Sequence, residues 1–146
     1  MRVAIAFDHA GVILRPVVIE TVAACGGEIM DCGTDSTERV DYVPYAFAAA
    51  DAVSSGQADR AIICCGTGLG SCIAASKVRG VRAVTISDTY SARMSRLHND
   101  ANCLCLGGRV VGSELARDIL TLWLETPFSD EERHRRRIIE VMAREG

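Results

Sequence analysis

Ala61-Ile62-Ile63-Cys64-Cys65-Gly66-Thr67-Gly68-Leu69-Gly70-Ser71 is the stretch on which the fold turns. An apolar run of strand length breaks off into three glycines separated by single residues, and a helical pattern follows. Read as a buried strand, a glycine turn and a helix entrance, it sets the rhythm for the rest of the chain. Apolar runs recur at 3–7, 28–32, 83–86 and 103–106, each short enough for a buried parallel strand.

Between these runs apolar residues step by three and four. Leu14, Val17, Val18, Thr21, Val22 and Cys25 do so up to Gly26-Gly27; Ala46, Ala49, Ala50 and Val53 do so up to Ser54-Ser55-Gly56; Ile119, Leu120 and Trp123 do so before Pro127. Such alternation predicts right-handed crossovers and an α/β three-layer sandwich, a five-stranded parallel sheet of Rossmann-like or flavodoxin-like type. Residues 129–146 predict an added C-terminal helix with Ile138, Ile139, Val141 and Met142 apolar, an appendage of the kind that packs on a second subunit. With no repeat or linker, residues 1–146 read as a single domain.

Composition narrows the function. A formal net charge of −3 carries no polyanion signature, so nucleic acid is not an expected partner. No apolar run approaches the roughly 20 residues that span a bilayer, and Asp8 and His9 interrupt the N-terminal run too early for a signal peptide. A cytoplasmic protein with no membrane partner is the expectation. The seven cysteines are odd in number and lack paired C-x-x-C spacing, which argues against a disulfide framework or a metal site. Most then read as small buried hydrophobes.

Open parallel sheets bind ligands at the carboxyl ends of their strands, where helix N-termini face the crevice. Three segments fall there: Asp8-His9-Ala10-Gly11, the Cys65 turn, and Ser87-Asp88. The glycine turn fits neither the P-loop order nor G-x-G-x-x-G, and by itself suits a structural turn as well as an oxyanion or phosphate cradle. Cys65 would stand at a helix entrance, where N–H groups favour thiolate, while Cys64 should point to the other face of the sheet. Asp8-His9 reads equally as a capping acid with a solvent-facing imidazole or as a ligand pair.

His98-Asn99-Asp100-Ala101-Asn102 is a polar stretch just before an apolar strand and reads as a functional loop, with a self-satisfied Asn/Asp turn as the alternative. In Glu131-Glu132-Arg133-His134-Arg135-Arg136-Arg137, Arg133 and Arg137 lie one helical turn apart; their guanidinium forks suit a phosphate monoester, or a solvated face.

Several of these segments together resemble the ribose-5-phosphate isomerase B family, which includes the galactose-6-phosphate isomerase subunits. The likeness runs from about Val3 to Val141. It rests on Asp8-His9-Ala10-Gly11, Gly33-Thr34, Asp41-Tyr42, Cys65-Gly66-Thr67-Gly68, Ile73-Ala74-Ala75 with Lys77, Tyr90-Ser91-Ala92, His98-Asn99-Asp100-Ala101-Asn102, and Gly107 with Arg109-Val110-Val111-Gly112. The resemblance implies Cys65 as proton-transfer base, His98 as assistant in ring opening, and His9, Arg109, Arg133 and Arg137 as phosphate ligands. Family sites form between two subunits, which implies a homodimer or a dimer of dimers. One branch uses a glutamate after the glycine loop; Ser71 stands there in this chain, which aligns it with the cysteine branch. Two departures are Val43-Pro44 within Asp41-Tyr42-Val43-Pro44-Tyr45, and Cys72 beside the loop.

An aldose–ketose isomerase of a sugar phosphate is the function so implied, ribose 5-phosphate to ribulose 5-phosphate first, with tetrose, allose or galactose phosphates next and no cofactor. Such an enzyme needs a base, enediolate stabilisation and proton return. Cys65 supplies the base and the amides from Gly66 through Gly68 and Gly70 to Ser71 face developing charge with the Thr67 hydroxyl. Asp8, Tyr42 and Asn99 complete the expected substrate contacts. A flavodoxin-like module binding a phosphate ligand, and a Cys64-Cys65 redox protein, are the competing classes.

Overall fold

The computed structural model describes residues 1–145. Five strands, β1 (Arg2–Phe7), β2 (Glu28–Asp31), β3 (Arg60–Cys65), β4 (Ala83–Thr85) and β5 (Cys103–Gly107), form one sheet in the order β2-β1-β3-β5-β4. Every pairing is parallel. The helices are α1 (Arg15–Ala24), α2 (Tyr42–Ser54), α3 (Leu69–Ala75), α4 (Thr89–Asn99), α5 (Ser113–Glu125) and α6 (Glu132–Met142). The expected sandwich is present, with α2 and α3 packed together on one face and α1, α5 and α4 in a row on the other. The expected tail helix is α6; Gly146 lies outside the described residues.

Side-chain alternation along the central strands builds two unlike core layers. Val3, Ile5 and Phe7 of β1, Ile62 and Cys64 of β3, and Leu104 and Leu106 of β5 meet α1, α4 and α5 in a layer of large residues that includes Trp123. Ala4, Ala6, Ala61, Ile63, Cys103 and Cys105 face Ala46, Ala49, Ala50, Ala74 and Ala75 of α2 and α3. Small residues there bring those helices close to the sheet. Each large aliphatic or aromatic side chain buried in the first layer contributes about 1.5–3 kcal/mol. Cys64 and Cys65 therefore part company: Cys64 belongs to the large-residue layer, and Cys65 has the strand parity of Ala61 and Ile63.

The strand order reverses between β1 and β3. There the chain leaves β1 through a turn and returns at β3, and the two carboxyl ends lie together: Asp8 N–H donates to Cys64 O at 3.0 Å. A Cβ on Gly11 would lie 1.9 Å from Cys64 O, so only glycine lets the first turn close on β3. Beyond β3 the order departs from simple outward growth. α3 carries the chain past a vacant position to edge strand β4, and α4 brings it back to fill that position with β5. Because α4 runs from the carboxyl end of β4 to the amino end of β5, its last residues, His98 and Asn99, stand at the opposite edge of the sheet from Cys65.

Candidate active site

Cys65 closes β3 and is 4% exposed. Its Sγ accepts the Gly68 N–H at 3.1 Å and lies 3.3 Å from Ser71 Oγ. Gly68 takes φ +80° as the residue before α3, a conformation glycine adopts without penalty, and this turns its amide back onto the sulfur. Ser71 is fully buried and its hydroxyl also lies 3.2 Å from Gly68 O. One hydroxyl proton serves one acceptor at a time. With Ser71 bonded to Gly68 O, the thiol proton can point to Ser71; with the hydroxyl turned round, sulfur receives two donors, the arrangement a thiolate requires. The Ser71 side chain therefore serves the sulfur, and these contacts leave its backbone N–H, the group expected to face the substrate, uninvolved.

The amide array is also narrower than the sequence predicts. Gly68 N–H is committed to sulfur, and Leu69 N–H donates to Thr67 Oγ1 at 3.2 Å. The Gly66 and Thr67 amides take part in neither bond, and they stand at the lip of the turn on half-buried and exposed residues. Thr67 Oγ1, having accepted from Leu69, keeps its own proton to donate. The turn after β5 clamps this lip: Gly108 N–H donates to Cys65 O at 2.8 Å and Arg109 N–H to Gly66 O at 3.0 Å. Arg109 Nη1 then sits 3.4 Å from where a Gly66 Cβ would be, beside the lip in the same chain. The Tyr42 ring covers Gly70, with its Cζ 2.6 Å from the position of a Cβ there.

Asp8 turns out to be a turn cap. Its Oδ1 accepts from Ala10 N–H at 2.9 Å and Gly11 N–H at 2.8 Å, and the residue is buried. His9 Nδ1 lies 3.2 Å from both Val40 N and Val40 O, so the Val40 backbone anchors that side of the ring as donor in one tautomer and acceptor in the other, and Nε2 makes neither contact. Asp88 caps α4 through Ser91 N–H at 2.7 Å and plays no part at the Cys65 turn. The Val43-Pro44 departure is absorbed at the start of α2, where Pro44 falls in the first turn and its missing N–H costs no helical bond. Cys72 hydrogen-bonds to Cys105, which pushes its thiol pKa up, and it packs against the small-residue layer.

The second group of candidates gathers elsewhere. A cavity of about 550 Å³ lies between the amino end of β4, the end of α4 and α6, and it is lined by His98, Asn99, His134 and Arg137 together with Val81 and Ile138. The polar stretch before β5 divides in two. Asp100 adopts φ +45° as the cap of α4, paired with Arg96 at 2.9 Å and Arg82 at 3.2 Å, and Asn102 Oδ1 accepts Arg82 N–H at 2.7 Å. Those residues are a structural turn; His98 and Asn99, one step earlier, face the cavity. Arg133 is exposed and paired with Glu131 at 2.8 Å. The chain thus unites Cys65, Gly66, Thr67, His9, Tyr42 and Arg109 at one edge, and His98, Asn99 and Arg137 at the other.

Sequence reasoning missed His134, which was read only as a gap among arginines. It is 4% exposed, and its ring stacks on His98 with centroids 4.4 Å apart and planes 13° from parallel. Burial, then the neighbouring charges of His98 and Arg133, hold its pKa below the usual imidazole value. The signal was present: His134, Ile138 and Met142 recur at steps of four and mark the inner face of α6.

Among the described residues no helix is long and apolar enough to cross a membrane. The model of the Ribose/Galactose Isomerase family matches residues 3–141. Ribose-5-phosphate isomerase B of Escherichia coli (strain K12) is 44% identical over 142 residues, covering 97% of this chain and 95% of its own. D-erythrulose-4-phosphate isomerase 2 of Mycolicibacterium smegmatis is 39% identical over 149 residues, covering 100% of this chain and 98% of its own. The solved structure of Trypanosoma brucei type B ribose 5-phosphate isomerase superposes with a TM-score of 0.95 at 43% identity, over 98% of this chain and 97% of that one.

Proposed function

The chain belongs to the Ribose/Galactose Isomerase family and is a sugar phosphate isomerase, and from that premise we propose that it interconverts ribose 5-phosphate and ribulose 5-phosphate with Cys65 as base, in sites shared between two copies. The observation that carries this reading is the Cys65 sulfur, sealed at the end of β3 with the Gly68 amide at 3.1 Å and the Ser71 hydroxyl at 3.3 Å. Both can donate to a thiolate, which is the form that abstracts a proton.

The division of the candidates between two sheet edges supports a second copy. Leu69 and Ile73 of α3 are 58% and 64% exposed beside the Cys65 turn, and Val110 beside Arg109 is 57% exposed. An apolar surface of that kind at a polar lip suits a partner subunit. In a two-fold dimer the cavity edge of one copy meets the cysteine turn of the other, and the two sites are equivalent.

The reaction then runs in three steps. The sugar rests as a furanose; His98 of the partner subunit shuttles a proton, taking up the one lost by the anomeric hydroxyl and delivering one to the ring oxygen, and the C1–O4 bond breaks to leave an aldehyde. Cys65 thiolate takes the C2 proton, and the electron pair moves onto O1 as an enediolate, facing the Gly66 and Thr67 amides and the Thr67 hydroxyl. The thiol returns the proton to C1 as a hydroxyl proton passes from O2 to O1, giving the ketose. Arg137 of the partner subunit, with Arg133 of the partner subunit beside it, and the local Arg109 and His9 Nε2 hold the phosphate, so that remote binding energy orients the reacting carbons.

Relatives that act on a tetrose phosphate make substrate choice the point to test. Ribose 5-phosphate, erythrose 4-phosphate, allose 6-phosphate and galactose 6-phosphate, assayed side by side, are expected to give the highest kcat/KM for ribose 5-phosphate. A higher kcat/KM for the four-carbon sugar would overturn the substrate assignment and leave the family intact.

A further inference from the structure

We propose that His134 is a positioning residue for His98, an aromatic plate that fixes the imidazole plane required for ring opening; this rests on the isomerase reading above. The two rings are stacked in an offset arrangement, with centroids 4.4 Å apart and planes 13° from parallel. His98 sits at the last turn of α4, just before the αL cap at Asp100, where a side chain on a helix end has several rotamers available. From below, the Arg82 and Arg96 pairs with Asp100 pin the backbone of that turn. Nothing in that network fixes the direction of the His98 ring, whereas the stacked His134 does.

His134 is suited to this and not to proton exchange itself. Its Nε2 is buried without a hydrogen-bond partner, 4.0 Å from Glu131 Oε2, and sealed from solvent. His98 and His134 both line the cavity, but the buried His134 Nε2 is not presented to a sugar there. Arg133 and Arg137 on the same helix, together with burial, disfavour a charge on His134. These influences favour the neutral form of the ring against His98, and a neutral aromatic face attracts a cation on His98 rather than repelling it. An aromatic ring without nitrogens would serve equally as the plate.

The test separates the plane of the ring from its nitrogens and the ring-opening step from the isomerisation step. Ribulose 5-phosphate has no free hydroxyl at C5 with which to close a furanose, and it enters the reaction as an open chain. Incorporation of solvent deuterium into it reads proton abstraction without ring opening. His134→Ala is expected to lower kcat for ribose 5-phosphate by about 10²-fold, the scale of a misplaced catalytic group, with KM and deuterium incorporation into ribulose 5-phosphate near wild type. His134→Phe is expected to restore most of the lost kcat. Equal loss in the Ala and Phe variants, or a parallel fall in deuterium incorporation, would overturn the proposal; so would an Ala variant with full kcat. Thermal unfolding of both variants separates these results from a failure to fold. Wild-type protein inactive on every sugar phosphate would instead remove the isomerase reading, and is told apart because it needs no variant.

Discussion

Cys65→Ala is expected to lower kcat by about 10²–10⁴-fold or more, the scale of a lost general base, and to abolish deuterium incorporation into ribulose 5-phosphate, with the fold unchanged. The fold should survive because the thiol makes its hydrogen bonds to a turn that is held independently. Gly108 N–H and Arg109 N–H bind the Cys65 and Gly66 carbonyls, and β3 is paired on both sides. Cys65→Ser keeps a polar atom for Gly68 N–H and Ser71, yet its hydroxyl does not ionise near neutral pH, so it should fall nearly as far. Cys64→Ala is the control. Burial pushes the Cys64 thiol pKa well up, and it faces the large-residue layer, so its loss affects packing and leaves turnover near wild type. A Cys65→Ala enzyme with near-normal kcat would remove Cys65 from the mechanism.

His98→Asn is expected to show the complementary pattern. Turnover of ribose 5-phosphate, which must be opened, should fall by about 10²–10⁴-fold. Deuterium incorporation into ribulose 5-phosphate, which arrives open, should persist because it needs Cys65 and the phosphate ligands but not the His98 imidazole. Asn keeps a planar polar side chain against His134 but has no titrating group near neutral pH. Equal loss of both activities would place His98 in the proton transfer between carbons rather than in ring opening. The contrast between the two variants distinguishes roles that a single rate measurement would merge.

The architecture was readable because the apolar runs around β1, β3 and β5 are uninterrupted and the helices between them keep their steps of three and four. The cysteine turn was readable for the same reason: strand, glycines and helix follow one another directly in sequence. What could not be read was the use each polar residue makes of its protons. Asp8, Ser71 and Asp100 have the composition of ligand residues, yet Asp8 accepts from Gly11 N–H, the Ser71 hydroxyl lies against the Cys65 sulfur and Asp100 pairs with Arg96, contacts set by a few ångströms of turn geometry. The separation of His98 from Cys65 follows from topology: an α4 that returns inward ends at the wrong edge, and no local pattern records the exchange of β4 and β5. His134 was hidden by its neighbours, four arginines that drew attention to charge when the periodicity of the inner face was the informative feature.

The shared site is the central claim, and mixing two dead enzymes tests it most directly. Cys65→Ala and His98→Asn protomers, unfolded together and refolded at equal amounts, form hybrids in which one site inherits both defects and the other inherits none. Random pairing into two-fold dimers predicts recovery of about a quarter of wild-type turnover of ribose 5-phosphate, against almost none for either variant refolded alone. A mixture as inactive as its components, with hybrid dimers demonstrated, would show that Cys65 and His98 act from the same chain and contradict the account.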